Sequence, residues 1–250
     1  MTAQKAIGVF IILSLAGLFT ALPARAQAAF STEKWTFEFT PYFWASGLKV
    51  DAKQGLLPEQ EMDVSFSDIM EKVHLGLSGL FEVRKGRWGL LFDGSYVDLG
   101  ETVETPYGDV EFRLENSSFS LAMMYRAVDG KAALDLIGGA RYNNMTNELE
   151  LTSGPYVGRS VSSTDDWVDG FVGARLTVWL ARAWALVGYA DVGTGGVEIT
   201  WQAWGWLDWR ISRVFAFKAG YRHSYFNRED GANFFKQTKS GFYAALGLNF

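Results

Sequence analysis

From Trp35 onward the chain alternates. In "KWTFEFTPYFWA", Trp35, Phe37, Phe39, Pro41 and Phe43 share one face, while Thr36, Glu38, Thr40 and Tyr42 share the other. This is the two-residue period of a half-buried strand. The same alternation returns in "VHLGLSGLFEVR", "RWGLLFDGSYVDL", "VEFRLENSSFSLAMMYR", "AALDLIGGARYNNM", "DWVDGFVGARLTVWL", "WALVGYADVG", "VEITWQAWGWLDWR", "VFAFKAGYRHSYF" and "SGFYAALGLNF". It predicts an all-β chain of about ten strands, each of about ten residues, with eight or twelve strands also open. One short exception is "SDIMEK", where the Asp68–Glu71 spacing suits a single capped helical turn.

The connections differ in length. Tight turns fall at Lys85–Gly86, "VDGK", "ARA" and "SR". Longer polar connections fall at "SGLKVDAKQGLLPEQEMDVSFSDIMEK", "GETVETPYGD", "TNELELTSGPYVGRSVSSTD" and "NREDGANFFKQTK", with "GTGG" the short member of that set. Such alternation belongs to a transmembrane up-and-down antiparallel β-barrel, with tight periplasmic turns and long external loops. The apolar faces agree with it. At their short-turn ends stand Trp35, Phe81, Trp88, Tyr125, Trp184, Trp209, Phe215 and Phe250, the girdle expected at a membrane interface. At the other edge, Phe43, Tyr96, Tyr142, Trp201, Tyr221 and Phe242 form a second ring. A soluble sandwich has no reason to sort its aromatics into two rims. The final strand is expected to close on the first, which leaves no free edge. Its alternation and terminal Phe250 also resemble the C-terminal signal by which the barrel assembly machinery recognises its substrates.

Composition narrows the picture further. There is no cysteine, so disulfides and thiolate metal sites are excluded, and the net charge of −5 argues against nucleic acid as a partner. At the N-terminus, Lys5, the apolar run "AIGVFIILSLAGLFTALP" and "ARAQA" have the parts of a secretory signal peptide, expected over residues 1–28. The competing expectation there is a retained membrane anchor. Residues 29–250 are then the barrel, located in the cell outer membrane, with outer-membrane lipid and the assembly machinery as partners.

The stretches "TPYFWASGLK", "DVSFSDIMEKV", "RKGRWGLLFDGSYVDL", "LDLIGGARY", "DDWVDGFVGARL", "DVGTGG", "WQAWG" and "AGYRHSYF" resemble those of a group of Gram-negative outer-membrane β-barrel proteins of unassigned activity. The resemblance runs from about Thr40 to the C-terminus. It implies the barrel fold and supplies no substrate, cofactor or catalytic residue.

Parity then fixes the inward face. Acidic residues expected there are Glu38, Glu82, Asp93, Asp135, Asp169, Asp191, Glu198 and Asp208. Basic ones are Arg84, Arg87, Arg126, Arg141, Arg175, Arg210, Lys218 and Arg222. These charges either line a narrow pore or ligand cavity, or pair across the lumen and close it, since an unpaired charge in a narrow interior is costly. Trp179, Trp204 and Trp206 also point inward and take up volume. Inward Gly76, Gly89, Gly139, Gly173 and Gly247 leave room for arginine stems along the wall. No enzyme is expected: His223 and the adjacent Ser224 point to opposite faces, and His74 has only Ser78 on its own face. No cofactor is expected either, and loop carboxylates (Asp51, Glu59, Glu61, Asp63, Asp165, Asp166) offer at most weak Ca²⁺ binding. The expectation is a structural envelope barrel or narrow small-molecule pore with a charge-paired lumen. The alternative is a surface-recognition or adhesin barrel acting through its external loops.

Overall fold

The computed structural model describes residues 34–53, 58–105, 108–155, 157–231 and 233–250. The signal-peptide expectation over residues 1–28 lies outside them. Eleven strands follow in order: β1 (Trp35–Lys53), β2 (Gln60–Val64), β3 (Val73–Lys85), β4 (Trp88–Thr105), β5 (Gly108–Val128), β6 (Ala132–Leu151), β7 (Ser160–Ala181), β8 (Trp184–Gly195), β9 (Ile199–Arg210), β10 (Phe215–Asp230) and β11 (Asn233–Asn249). Neighbours pair antiparallel, and β11 pairs back onto β1 from Glu38↔Asn249 to Lys53↔Phe234. Backbone bonds between Phe37 and Phe250, 3.1 and 3.0 Å, finish the closure. The result is a closed barrel of ten strands, with β2 a short addition to the outer half of β1.

The strands outrun the membrane. A span needs about 9–11 tilted residues, yet β7 runs for 22. Much of what reads as polar loop is therefore strand: β4 and β5 stay paired to Thr105↔Gly108, and β6 and β7 to Glu150↔Ser160. The composition misleads because a ribbon wet on both faces keeps its ladder without keeping an apolar face. Segments such as "ETVET" carry β-branched residues that suit a strand while their charges suggest a loop.

The predicted helical turn exists as α1 (Phe66–Lys72), but its box lies three residues earlier. Ser65 is the N-cap and Asp68 sits at N3, with Ser65 Oγ accepting from the Asp68 N–H and the Asp68 carboxylate accepting from the Ser65 N–H. Asp68 thus closes the box instead of opening it.

Outward residues form an apolar band. Leu90, Val172 and Leu186 are all exposed, as a lipid-facing wall must be. Aromatics flank it at both heights. On the short-turn side Trp88 meets Tyr125 with centroids 4.9 Å apart, Trp184 stacks on Trp209 at 5.3 Å, and Phe37 bridges Trp35 to Phe81. On the far side Tyr221 meets Phe242 edge-on at 5.6 Å.

Candidate functional site: the charge-paired lumen

Inward positions of every strand converge on a polar interior. Its inner half, toward the short turns, is organised around Asp135, only 1% exposed. Arg126 donates from Nε to Oδ1 at 2.8 Å, Arg84 from Nη2 to Oδ2 at 3.0 Å and Arg175 from Nη2 to Oδ2 at 2.9 Å. Glu82 takes the remaining forks, 2.6 Å from Arg175 Nη1 and 3.2 Å from Arg84 Nη2. Planar guanidinium forks suit shared carboxylates of this kind. In the wall β3 and β7 are separated by β4, β5 and β6, so the Glu82–Arg175 bond crosses the lumen.

Beside this cluster Lys218 bonds Glu38 and lies 3.8 Å from Asp208. Its stem runs past Gly247, where an added Cβ would stand 3.3 Å from Lys218 Cε. Gly139 works differently from the sequence expectation. A Cβ there would sit 2.2 Å from the Leu121 carbonyl, so it admits the neighbouring strand and not an arginine stem.

The middle of the lumen is a seam of mixed chemistry. Tyr42 Oη donates to Asp93 at 2.8 Å, and Arg222 donates to Tyr42 Oη at 3.1 Å and to Gln202 Oε1 at 2.8 Å. Its guanidinium lies 3.7 Å from the Trp204 ring centroid and 4.5 Å from that of Trp44. Gln202 continues to Asp191, whose Oδ2 also accepts from Arg141 at 2.9 Å and Tyr189 at 2.7 Å. Arg141 completes its set on Ser120 and lies over Phe171.

Two expected lumen charges stand elsewhere, and two more are placed differently than expected. Arg87 lies in the β3–β4 turn and donates to Tyr125 Oη in the girdle, 3.3 Å away. Glu198 is exposed in the β8–β9 turn. In both cases a turn ends the alternation on which parity depends. Arg210 is exposed at the inner mouth, its guanidinium 4.3 Å from the Trp179 ring centroid. Asp169 is buried, and although the register sets it opposite Arg141, its oxygens accept from the Val197 N–H at 3.1 Å and Trp167 Nε1 at 3.0 Å. It caps a turn where an ion pair was expected.

Two cavities remain. An inner one of about 660 Å³ reaches the short-turn mouth, and an outer one of about 80 Å³ lies toward the ribbons. Arg141 and Gln202 border both, so the seam stands between them.

On the lipid side, His223 does not pair with the adjacent Ser224, as parity requires, but it does meet a serine of the next strand. His223 Nδ1 lies 2.6 Å from Ser240 Oγ, directly across the β10–β11 ladder, with Trp201 stacked on the imidazole at 4.8 Å. Cross-strand register supplies this neighbour, and spacing along the chain cannot reveal it. Of the loop carboxylates, Asp63 pairs with Lys49 at 2.6 Å and Asp165 with Arg228 at 3.4 Å.

No protein-family model matches the sequence, and no curated protein matches it. Among solved structures, the chain is similar to the outer membrane protease OmpT from Escherichia coli, with a TM-score of 0.61 at 8% identity over 89% of this chain and 100% of that one. More distant likenesses are to the transport unit of the autotransporter AIDA-I from Escherichia coli (TM-score 0.42, 8% identity, 96% of each chain) and to Ail of Yersinia pestis (0.36, 12%, 88% of this chain and 100% of that one). At 8% identity the likeness to OmpT shows the fold alone. That fold, together with an apolar band held between two aromatic rings, makes this chain a transmembrane β-barrel of the Gram-negative outer-membrane type.

Proposed function

We propose that this is a plugged outer-membrane barrel, a structural component of the envelope whose lumen is shut by paired side chains and passes at most small solutes. The observation that carries this reading is the set of bonds crossing the lumen, Arg175 to Glu82 in the inner half and Arg222 to Asp93 in the seam. A barrel of this size is narrow enough for such side chains to bridge it. Planar-bilayer recording of the refolded protein tests it. The wild type should be nearly silent, and R141A/R175A should lose thermal stability and leak cations past Asp191, Glu82 and Asp135. A conducting wild type whose variant stays stable and merely changes ion preference refutes closure.

A recognition role is the second reading, favoured by the β4–β5 and β6–β7 ribbons that project beyond the outer ring. Binding to a surface ligand that is lost on ribbon exchange, with the lumen untouched, would support it.

A further inference from the structure

The inner cavity carries more positive charge than the closure uses. Glu82 and Asp135 are taken by Arg84, Arg126 and Arg175, while Glu38 and Asp208 face Lys218. Arg182 from the β7–β8 turn, Arg213 from the β9–β10 turn and Arg210 from the end of β9 line the same cavity at its mouth. Among the described residues none of them has a carboxylate partner. The Arg210 guanidinium lies over the Trp179 ring, 4.3 Å from its centroid, which helps to hold it at the mouth.

Deeper in, two polar atoms have no protein partner. Trp206 Nε1 and Asp208 Oδ1 are buried and unbonded. Both residues border the cavity and stand two apart on β9, on one face. One is a donor and the other an acceptor, the two roles that a hydroxyl group complements. Native proteins rarely leave such atoms orphaned. The volume of about 660 Å³ is that of a small-molecule site. Trp206 and Tyr243 give it apolar wall.

We propose that the inner cavity is a binding cup for a small phosphate-bearing polyol: the phosphate at the Arg182, Arg210 and Arg213 rim, and a hydroxyl at Trp206 and Asp208. Arginine forks match phosphate oxygens in pairs, and a rim of one sign draws anions toward it. Short turns face the periplasm in outer-membrane barrels, so the occupant is either a free periplasmic phosphate ester or the headgroup of an inner-leaflet phospholipid. The inference rests on the closed-lumen reading, because only the seam makes this space a cup and not a stretch of channel.

The test uses the full mature protein, refolded in lipid-free neutral detergent, with glycerol 3-phosphate, inorganic phosphate, glycerol and short-chain phosphatidylglycerol as probes. Isothermal titration should show saturable glycerol 3-phosphate binding that glycerol does not reproduce. R182Q/R210Q/R213Q should weaken it at least tenfold. W206F should weaken glycerol 3-phosphate several-fold and leave inorganic phosphate unchanged, a readout that general damage to the fold would not give. If phosphatidylglycerol alone binds, with the same dependence on the rim arginines and Trp206, the cup takes the lipid headgroup. Absence of saturable binding by any phosphate probe, or binding untouched by the triple variant, overturns the proposal. Conductance is read separately, so a leaky wild type refutes closure without deciding whether the rim binds phosphate.

Discussion

The inner cluster and the seam close the same lumen by different means. Around Asp135 every donor is a guanidinium, and the carboxylate is the hub that keeps Arg84, Arg126 and Arg175 from repelling one another. Around Asp191 the donors are one guanidinium, one phenol and one amide. Arg222 spends its positive charge partly on ring faces, Trp204 above all. One half is held by guanidinium–carboxylate pairs alone, the other by ion pairs shared with neutral donors and ring faces. Equal numbers of buried charges therefore do not imply equal sensitivity to losing one.

The sharpest separation comes from paired substitutions. D135N should destabilise the barrel by about 3–5 kcal/mol, the usual cost of leaving buried charges unbalanced, read as loss of heat-modifiable folded band or as an earlier urea midpoint. D191N leaves one arginine, Arg141, short of its carboxylate where D135N leaves three, and keeps an acceptor for Tyr189 and Gln202, so it should cost less, about 1–3 kcal/mol. Equal losses would abolish the distinction between the two halves. The lipid-facing wall provides the next comparison. Leu186→Arg should cost about 2–4 kcal/mol if it lies near mid-membrane. Ala185, one residue away and inward, is fully buried, so Ala185→Arg should cost at least as much, by overpacking. A cheap Ala185→Arg would mean that the lumen is wet near its inner mouth, where Ala185 stands opposite Trp179 and Asp208. The smallest effect lies outside the membrane, where Arg113 holds the Asp98 carboxyl below its ordinary range by hydrogen bonding and charge, 2.7 Å away. The lowered value means that this pair stabilises the β4–β5 ribbon above the ordinary carboxylate pKa, about 4. The contribution should fade as pH falls below that. Amide protection in the ribbon, taken relative to the intrinsic exchange rate at each pH, should then be lower at pH 3 than at pH 6, and unchanged protection would refute the coupling.

Much of this architecture is legible in the sequence because lipid enforces it. Strand alternation, the two aromatic rings and closure of β11 on β1 follow from a rule that every outward residue must satisfy. The lumen is less legible. Parity puts Asp135 and Arg175 inside, but which arginine reaches which carboxylate depends on side-chain length and strand stagger. Arg141 thus lies opposite Asp169 in register and bonds Asp191 instead. Arg87 and Glu198 show where parity lapses, at turns. His223 shows a different gap: its partner Ser240 comes from the ladder and not from sequence spacing. The outer ribbons were hidden because water, unlike lipid, lets a strand carry charge on both faces.

The wall itself is not uniformly stitched. β1 is joined to β3 from Trp35 to Pro41, and on that same side it next pairs with β2, from Leu48. Pro41, with no N–H to give, stands where the first ladder stops. Between the two ladders, Tyr42–Gly47 has no strand paired on that flank among the described residues, and α1 leans on it through the Phe43–Phe66 ring contact at 5.9 Å. Mechanically this is a placket, an opening held by a button in a garment otherwise sewn shut. Thermal breathing of the cylinder should begin there, at the height of the outer leaflet, and Phe66 sets how readily it parts.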